Sequence, residues 1–219
     1  MNRSCIVPAA LALAAAVDLS ACQQEPGYNP MLLTPDSLTE TAPDVFRAHF
    51  ETSRGDFVVE VHRDWSPEGA DRFYNLVANG YYDNVRFFRV LAGFMAQFGI
   101  HGDRAVGAAW REHRIDDDPV VQSNTRGFVS YAMGGPNTRT TQIFVNYGDN
   151  SRLDASGFSP FGQVVEGMEV VDSLYSGYGE GAPSGTGPNQ ALIHSQGNAY
   201  LEKDFPNLDF VRKATIVPR

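Results

Sequence analysis

The sequence predicts a mainly β domain, either a sandwich or a closed barrel of antiparallel strands. From residue 45 onward the chain breaks into short runs rich in β-branched and aromatic residues, with Gly, Asn, Asp and Ser at turn positions between them. Helical spacing is confined to brief stretches, and no segment repeats. A chain of 219 residues suits one domain with a sizeable core better than two. Periodicity alone does not choose between sandwich and barrel.

The first residues read as a targeting signal. Arg3 supplies a positive start, residues 6–17 form an Ala/Leu-rich apolar run, and Leu19-Ser20-Ala21-Cys22 resembles the lipobox of bacterial lipoproteins. That resemblance implies cleavage after residue 21, lipidation of Cys22, and an exported protein held in the cell envelope by its acyl chains. Gln23 after the cysteine resembles the outer-membrane sorting pattern, which would face the domain toward the periplasm in a Gram-negative cell. Residues 1–21 are thus expected as signal peptide and 22–44 as a flexible tether, on account of Pro26, Gly27, Pro30 and Pro35 without a period. The domain is expected over 45–219.

Within it, residues 45–52 and 57–61 form a hairpin around Ser53-Arg54-Gly55-Asp56. Ser66-Pro67-Glu68 opens a helix, with Ser66 as N-cap and Pro67 at the first position. Ala70, Phe73, Leu76 and Val77 recur at helical spacing, and Gly80 closes the helix. Further strands are expected over 85–90, 95–98, 128–132, 143–146 and 162–165, a second helix over 167–174, and a closing strand over 213–217. The segment 100–123 has some helical character around Ala105 and Trp110. The Gly-rich stretch 177–187 lacks the strand and helix of a phosphate-binding turn and reads as a surface loop.

The formal net charge is −9, which disfavours nucleic acid and anionic membrane as partners. Both cysteines, Cys5 and Cys22, precede the domain, so no thiol acts in it. His49, His62, His101, His113 and His194 are scattered without ligand spacing. Asp116-Asp117-Asp118 lacks the spaced ligands of a calcium loop and reads as a solvated acidic turn. No Gly-x-Ser-x-Gly elbow is present. Neither metal nor cofactor is expected, and nothing demands more than a monomer.

Two segments remain, Phe88-Arg89-Val90-Leu91-Ala92-Gly93-Phe94-Met95-Ala96-Gln97 and Gly134-Gly135-Pro136-Asn137-Thr138-Arg139-Thr140-Thr141-Gln142-Ile143-Phe144. Their spacing resembles the active-site segments of the cyclophilin-type peptidyl-prolyl isomerases, and the resemblance runs over about residues 50–171. It implies an eight-stranded antiparallel barrel, closed and capped by two helices, that turns Xaa–Pro bonds in proline-containing polypeptide clients. Such an amide has a rotation barrier of about 18–20 kcal/mol from C–N resonance. Lowering it requires only that the twisted state be bound better than either planar one.

The resemblance gives catalytic roles to Arg89 and Gln97. A guanidinium stays charged at any working pH and can donate to the pyramidal prolyl nitrogen or the nearby carbonyl, while Gln97 holds it. Phe94, Met95, Phe144, Leu153 and Phe158 are expected to bind the proline ring, and Gln142 to line the groove. The backbone at Met133 would pair with an extended client. Several positions depart from the family. Phe88 stands in place of histidine, Phe98 of glycine, Met133 of asparagine, and Arg152 of tryptophan, which speaks against tight cyclosporin binding. Phe158 occupies the region of a histidine. These departures leave an alternative reading, a non-catalytic proline-peptide-binding or holdase module on the same fold.

Overall fold

Residues 27–217 are described by the computed structural model; the expected signal peptide and Cys22 lie outside them. Strand β1 (Val45–Thr52) pairs with β2 (Gly55–His62) as the expected hairpin. Alternation turns Phe46, Ala48 and Phe50 inward from β1. Next come β3 (Arg89–Leu91), β4 (Met95–Phe98), β5 (Phe128–Tyr131), β6 (Ile143–Asn146), β7 (Pro160–Glu166) and β8 (Val211–Val217). They form one curled sheet in the order β3-β4-β6-β5-β7-β2-β1-β8, and every pairing is antiparallel. Of the strand expected over 85–90 only the end joins this ladder. The residues before it turn to the first residue of β8 and the stretch preceding it: Asn84 N–H donates to Val211 O (2.8 Å), Val211 N–H to Val85 O and Phe87 N–H to Asp209 O (both 2.9 Å).

Inside the curl, aromatic side chains dominate. Phe50 stacks on Phe57 at 4.8 Å, and Phe73 of helix α1 (Pro67–Ala78) meets Phe161 at 4.9 Å. Phe98 packs against Phe87 at 4.7 Å, with Phe50 and Tyr82 around it, so the position where the resemblance has glycine is filled by core here.

Helix α1 buries Ala70, Phe73, Leu76 and Val77 as its spacing requires, and Gly80 takes a positive φ (+73°) just beyond its end. Its start differs from expectation. Ser66 sits at the N-cap position but makes no capping bond; its hydroxyl donates to Asp118 Oδ2 (2.5 Å). The Asp118 carboxylate accepts the N–H groups of Glu68 (3.2 Å) and Gly69 (3.0 Å) instead. Asp118 is therefore a buried cap, not part of a solvated turn, and its counter-ion is Arg139 at 3.0 Å, itself only 1% exposed. The charge is tolerated there because both carboxylate oxygens accept hydrogen bonds, from four donors in all.

The expected tether is also corrected from residue 28 onward. Two short 3-10 turns, Pro30–Leu33 and Pro35–Ser37, lie on the domain with Leu32 fully buried. The indole N–H of Trp110 donates to Leu32 O at 2.8 Å. Trp110 belongs to helix α2 (Arg104–Arg111), which is capped by the Asp103 carboxylate. Proline does not preclude order here, since Pro30 and Pro35 each sit at the first position of a turn.

Helix α3 (Met168–Asp172) falls where the second helix is expected. Two more were not anticipated, α4 (Gln190–Gln196) and α5 (Asn198–Asp204). Their Ile193, Tyr200 and Leu201 form a second apolar cluster with Phe88, Ile100 and Leu208. Phe88, where the resemblance has histidine, thus seats this helical pair. No described helix is long and apolar enough to cross a membrane.

Candidate active site

Antiparallel register brings the site together. Arg89 on β3 lies opposite Gln97 on β4, and Gln97 lies opposite Phe144 on β6. Directly opposed residues project from one face of a sheet, so three side chains distant in sequence form a row. Met95 and Gln142, each two residues from a member of that row, share the face. Ala96 and Phe98 point the other way, into the core. This explains a strand buried on both sides that still carries a glutamine.

The row is hydrogen-bonded along its length. Arg89 Nη1 donates to Gln97 Oε1 (3.0 Å), and Gln97 Nε2 donates to Gln142 Oε1 (3.0 Å). Met95 Sδ lies 4.0 Å from Arg89 Nη1, a weak acceptor. On its other edge the guanidinium is held by Glu180, with Nε donating to Oε1 and Nη2 to Oε2, both at 2.6 Å. The hydrogen bonds from Arg89 hold the Glu180 carboxyl below the usual glutamate range.

The apolar wall comes from two loops. Phe94 sits in the β3–β4 turn, its carbonyl accepting from Tyr147 N–H (2.9 Å) and the Asn150 amide (2.8 Å). Its ring lies 4.9 Å from the Arg152 guanidinium, the residue standing where the resemblance has tryptophan. Leu153 is on a 3-10 turn, Ser151–Ser156, fixed by Asp154. That carboxylate accepts from Ser123 Oγ (2.6 Å), Asn124 N–H (2.9 Å) and the Asn124 amide (2.7 Å). Burial opposes its charge, but these bonds hold its pKa below the ordinary aspartate value. Phe158 follows, edge-on to Phe144 at 5.8 Å.

Arg89, Phe94, Met95, Gln97, Met133, Gln142, Phe144, Leu153 and Phe158 all line one groove of about 380 Å³. Met133 continues from β5, whose extended course is kept by Ala132 N–H donating to Gln142 O (2.9 Å). Thr138, Thr140 and Gln190 also line the groove and were not anticipated, nor was Glu180. The threonines lie in the motif loop and were open to notice there. Gln190 and Glu180 come from a segment with no signal pointing back to Arg89. Among the described residues no group of three His, Cys, Asp or Glu could hold a metal ion.

Residues 47–193 match the family model of the cyclophilin type peptidyl-prolyl cis-trans isomerases. A protein of Dictyostelium discoideum named peptidyl-prolyl cis-trans isomerase-like 3 is 36% identical over 126 residues, covering 56% of this chain and 78% of that one. An Arabidopsis thaliana peptidyl-prolyl cis-trans isomerase, CYP18-1, is 35% identical over 126 residues with the same coverage. Among solved structures, the cyclophilin type peptidyl-prolyl cis-trans isomerase of Cryptosporidium parvum superposes with a TM-score of 0.58 at 21% identity. That match covers 80% of this chain and 99% of the other, and at this identity it speaks to the fold.

Proposed function

We propose, for a chain that belongs to the cyclophilin-type peptidyl-prolyl cis–trans isomerase family, that rotation about the Xaa–Pro bond takes place in this groove with Arg89 as the group that favours the twisted amide. The observation that carries the reading is the donor count at Arg89. A guanidinium has five N–H bonds; Glu180 accepts two and Gln97 one, which leaves two on the Nη1 and Nη2 nitrogens. One of these passes near the weakly accepting Met95 sulfur and is free to move to a better partner. In the planar amide the prolyl nitrogen has no lone pair to offer. In the twisted amide it has one, so the interaction strengthens only as the barrier is climbed.

The remaining side chains hold the client. Phe94, Met95, Phe144, Leu153 and Phe158 enclose the proline ring, whose burial fixes one side of the bond while the other turns. The Met133 backbone adds the client as an extended strand, and Gln97 and Gln142 keep Arg89 in register. No proton moves and no covalent bond forms, so no metal or cofactor is needed. The bridge between Arg86 and Phe210 supports reading the curled sheet as a barrel closed across that seam. The signal-like start supports export, with Cys22 as a lipid anchor and unfolded envelope proteins as clients. A Cys22→Ser variant is expected to leave the membrane fraction, and retention there would count against the anchor. For the groove, titration with a proline peptide is expected to shift amide resonances of Met95, Gln97 and Met133 first. Shifts confined to another face would contradict the assignment.

A further inference from the structure

The Gly-rich stretch 177–187, which supplies the Glu180 partner of Arg89, folds into a coil around that one residue. Gly187 N–H donates to the Glu180 carbonyl (2.8 Å), Gly185 N–H to Gly181 O (3.0 Å) and Ala182 N–H to Gly187 O (3.1 Å). A Cβ at Gly185 or Gly187 would run into the Glu180 carbonyl oxygen, so the glycines permit this close winding. Gly181 N–H also donates to the Glu180 carboxylate at 2.9 Å, fixing the side chain before it meets any partner. The carboxylate then lies flat against the Nε–Nη2 edge of Arg89, two bonds of 2.6 Å in the bidentate fork that planar groups favour.

We infer that Glu180 is a positioning residue for the isomerase reaction: it sets the plane of the Arg89 guanidinium so that the two remaining N–H groups face the proline pocket. The inference rests on the assignment of Arg89 as the catalytic group. An arginine side chain has many rotamers, and Gln97 alone restrains only one of its nitrogens. A second hold on the opposite edge removes rotation about the terminal bonds, the freedom that would otherwise have to be lost on the way to the twisted state. The pair is too exposed to contribute much to stability, with side-chain exposure of 23% for Arg89 and 37% for Glu180. Its effect therefore falls on turnover.

The test is a double-mutant cycle on isomerisation kinetics, with kcat and KM measured separately for Glu180→Ala, Glu180→Gln, Arg89→Ala and Arg89→Ala/Glu180→Ala. Glu180→Ala is expected to lower kcat about five- to twentyfold, to leave KM within about twofold, and to leave the unfolding temperature unmoved. Glu180→Gln recovers part of the loss, because its amide oxygen still accepts one of the two bonds. In the Arg89→Ala background removing Glu180 should change nothing further. Unchanged or raised turnover in Glu180→Ala, or an equal loss in the Arg89→Ala background, overturns the inference. Full turnover in Arg89→Ala itself would instead overturn the catalytic assignment on which it rests.

Discussion

Asp118→Ala removes, in one substitution, the acceptor of the Ser66 hydroxyl, of two N–H groups at the start of α1 and of the Arg139 guanidinium. Arg139 is left buried with the Asp116 carbonyl, the Ser66 hydroxyl and the partly exposed Asp117, whose carboxylate lies 3.4 Å from Nε. Breaking a buried ion pair from one side costs about 3–5 kcal/mol, and loss of a helix cap about 1 kcal/mol. Because Asp117 remains, the lower part of that range applies, and the sum is about 4 kcal/mol. For a domain of this size, each kcal/mol moves the unfolding temperature by about 2–4 °C. Urea unfolding followed by Trp65 and Trp110 fluorescence reads the cost directly. Asp118→Asn, which keeps an oxygen for the cap, should lose roughly half as much. The groove feels the same change, since Thr138 and Thr140 flank Arg139 and line it, so a folded Asp118→Asn should bind proline peptides more weakly. A cost for Asp118→Ala below about 0.5 kcal/mol would refute the account of this buried charge.

Phe144→Ala takes away one wall of the proline pocket and should raise KM about tenfold, the equivalent of ~1.4 kcal/mol; an unmoved KM would place the ring elsewhere. Leu32→Ala should cost about 2–4 kcal/mol in denaturant unfolding, whereas a negligible effect would mean that the segment before β1 contributes nothing to the fold. His101 is buried and its Nδ1 accepts from Asp103 N–H at 2.9 Å, so the neutral form is preferred and its pKa lies below the usual histidine value because burial disfavours the charge. The unfolded chain then takes up its proton first as pH falls below about 6.5, and stability present above that pH is lost on the way down to the folded pKa. By pH 5 this one group can remove at most about 2 kcal/mol, and His101→Gln should show a flatter stability profile between pH 7 and 5 than the unsubstituted protein.

What could be read from the sequence was local. Gln97 and Phe144 were placed by short motifs, and strand alternation then put Met95 with Gln97 without any knowledge of the sheet. The hairpin at Ser53-Arg54-Gly55-Asp56 and the body of α1 follow from turn chemistry and spacing in the same way. What escaped depends on contacts between residues far apart. Asp118 looks like a solvated acid until Arg139 and the start of α1 are folded against it. Leu32 sits in a Pro-rich stretch whose order comes from burial of that side chain and the hydrogen bond from Trp110 to its carbonyl. Helices α4 and α5 are only seven residues each, too short for a periodic signal, and they are held by Phe88 from the first half of the domain. Glu180 is 91 positions from Arg89, and a loop rich in glycine shows only that tight winding is possible, not what the winding presents.

The measurement closest to the central claim is NMR exchange of an Xaa–Pro peptide with catalytic amounts of the chain from Gln23 onward, which contains every described residue. The account predicts faster cis–trans exchange with the unsubstituted protein, and a loss of about a hundredfold in Arg89→Ala while the variant unfolds at the same temperature and still shifts on peptide addition. Exchange that stays fast in Arg89→Ala, or a folded protein that binds the peptide without accelerating it, would contradict the account.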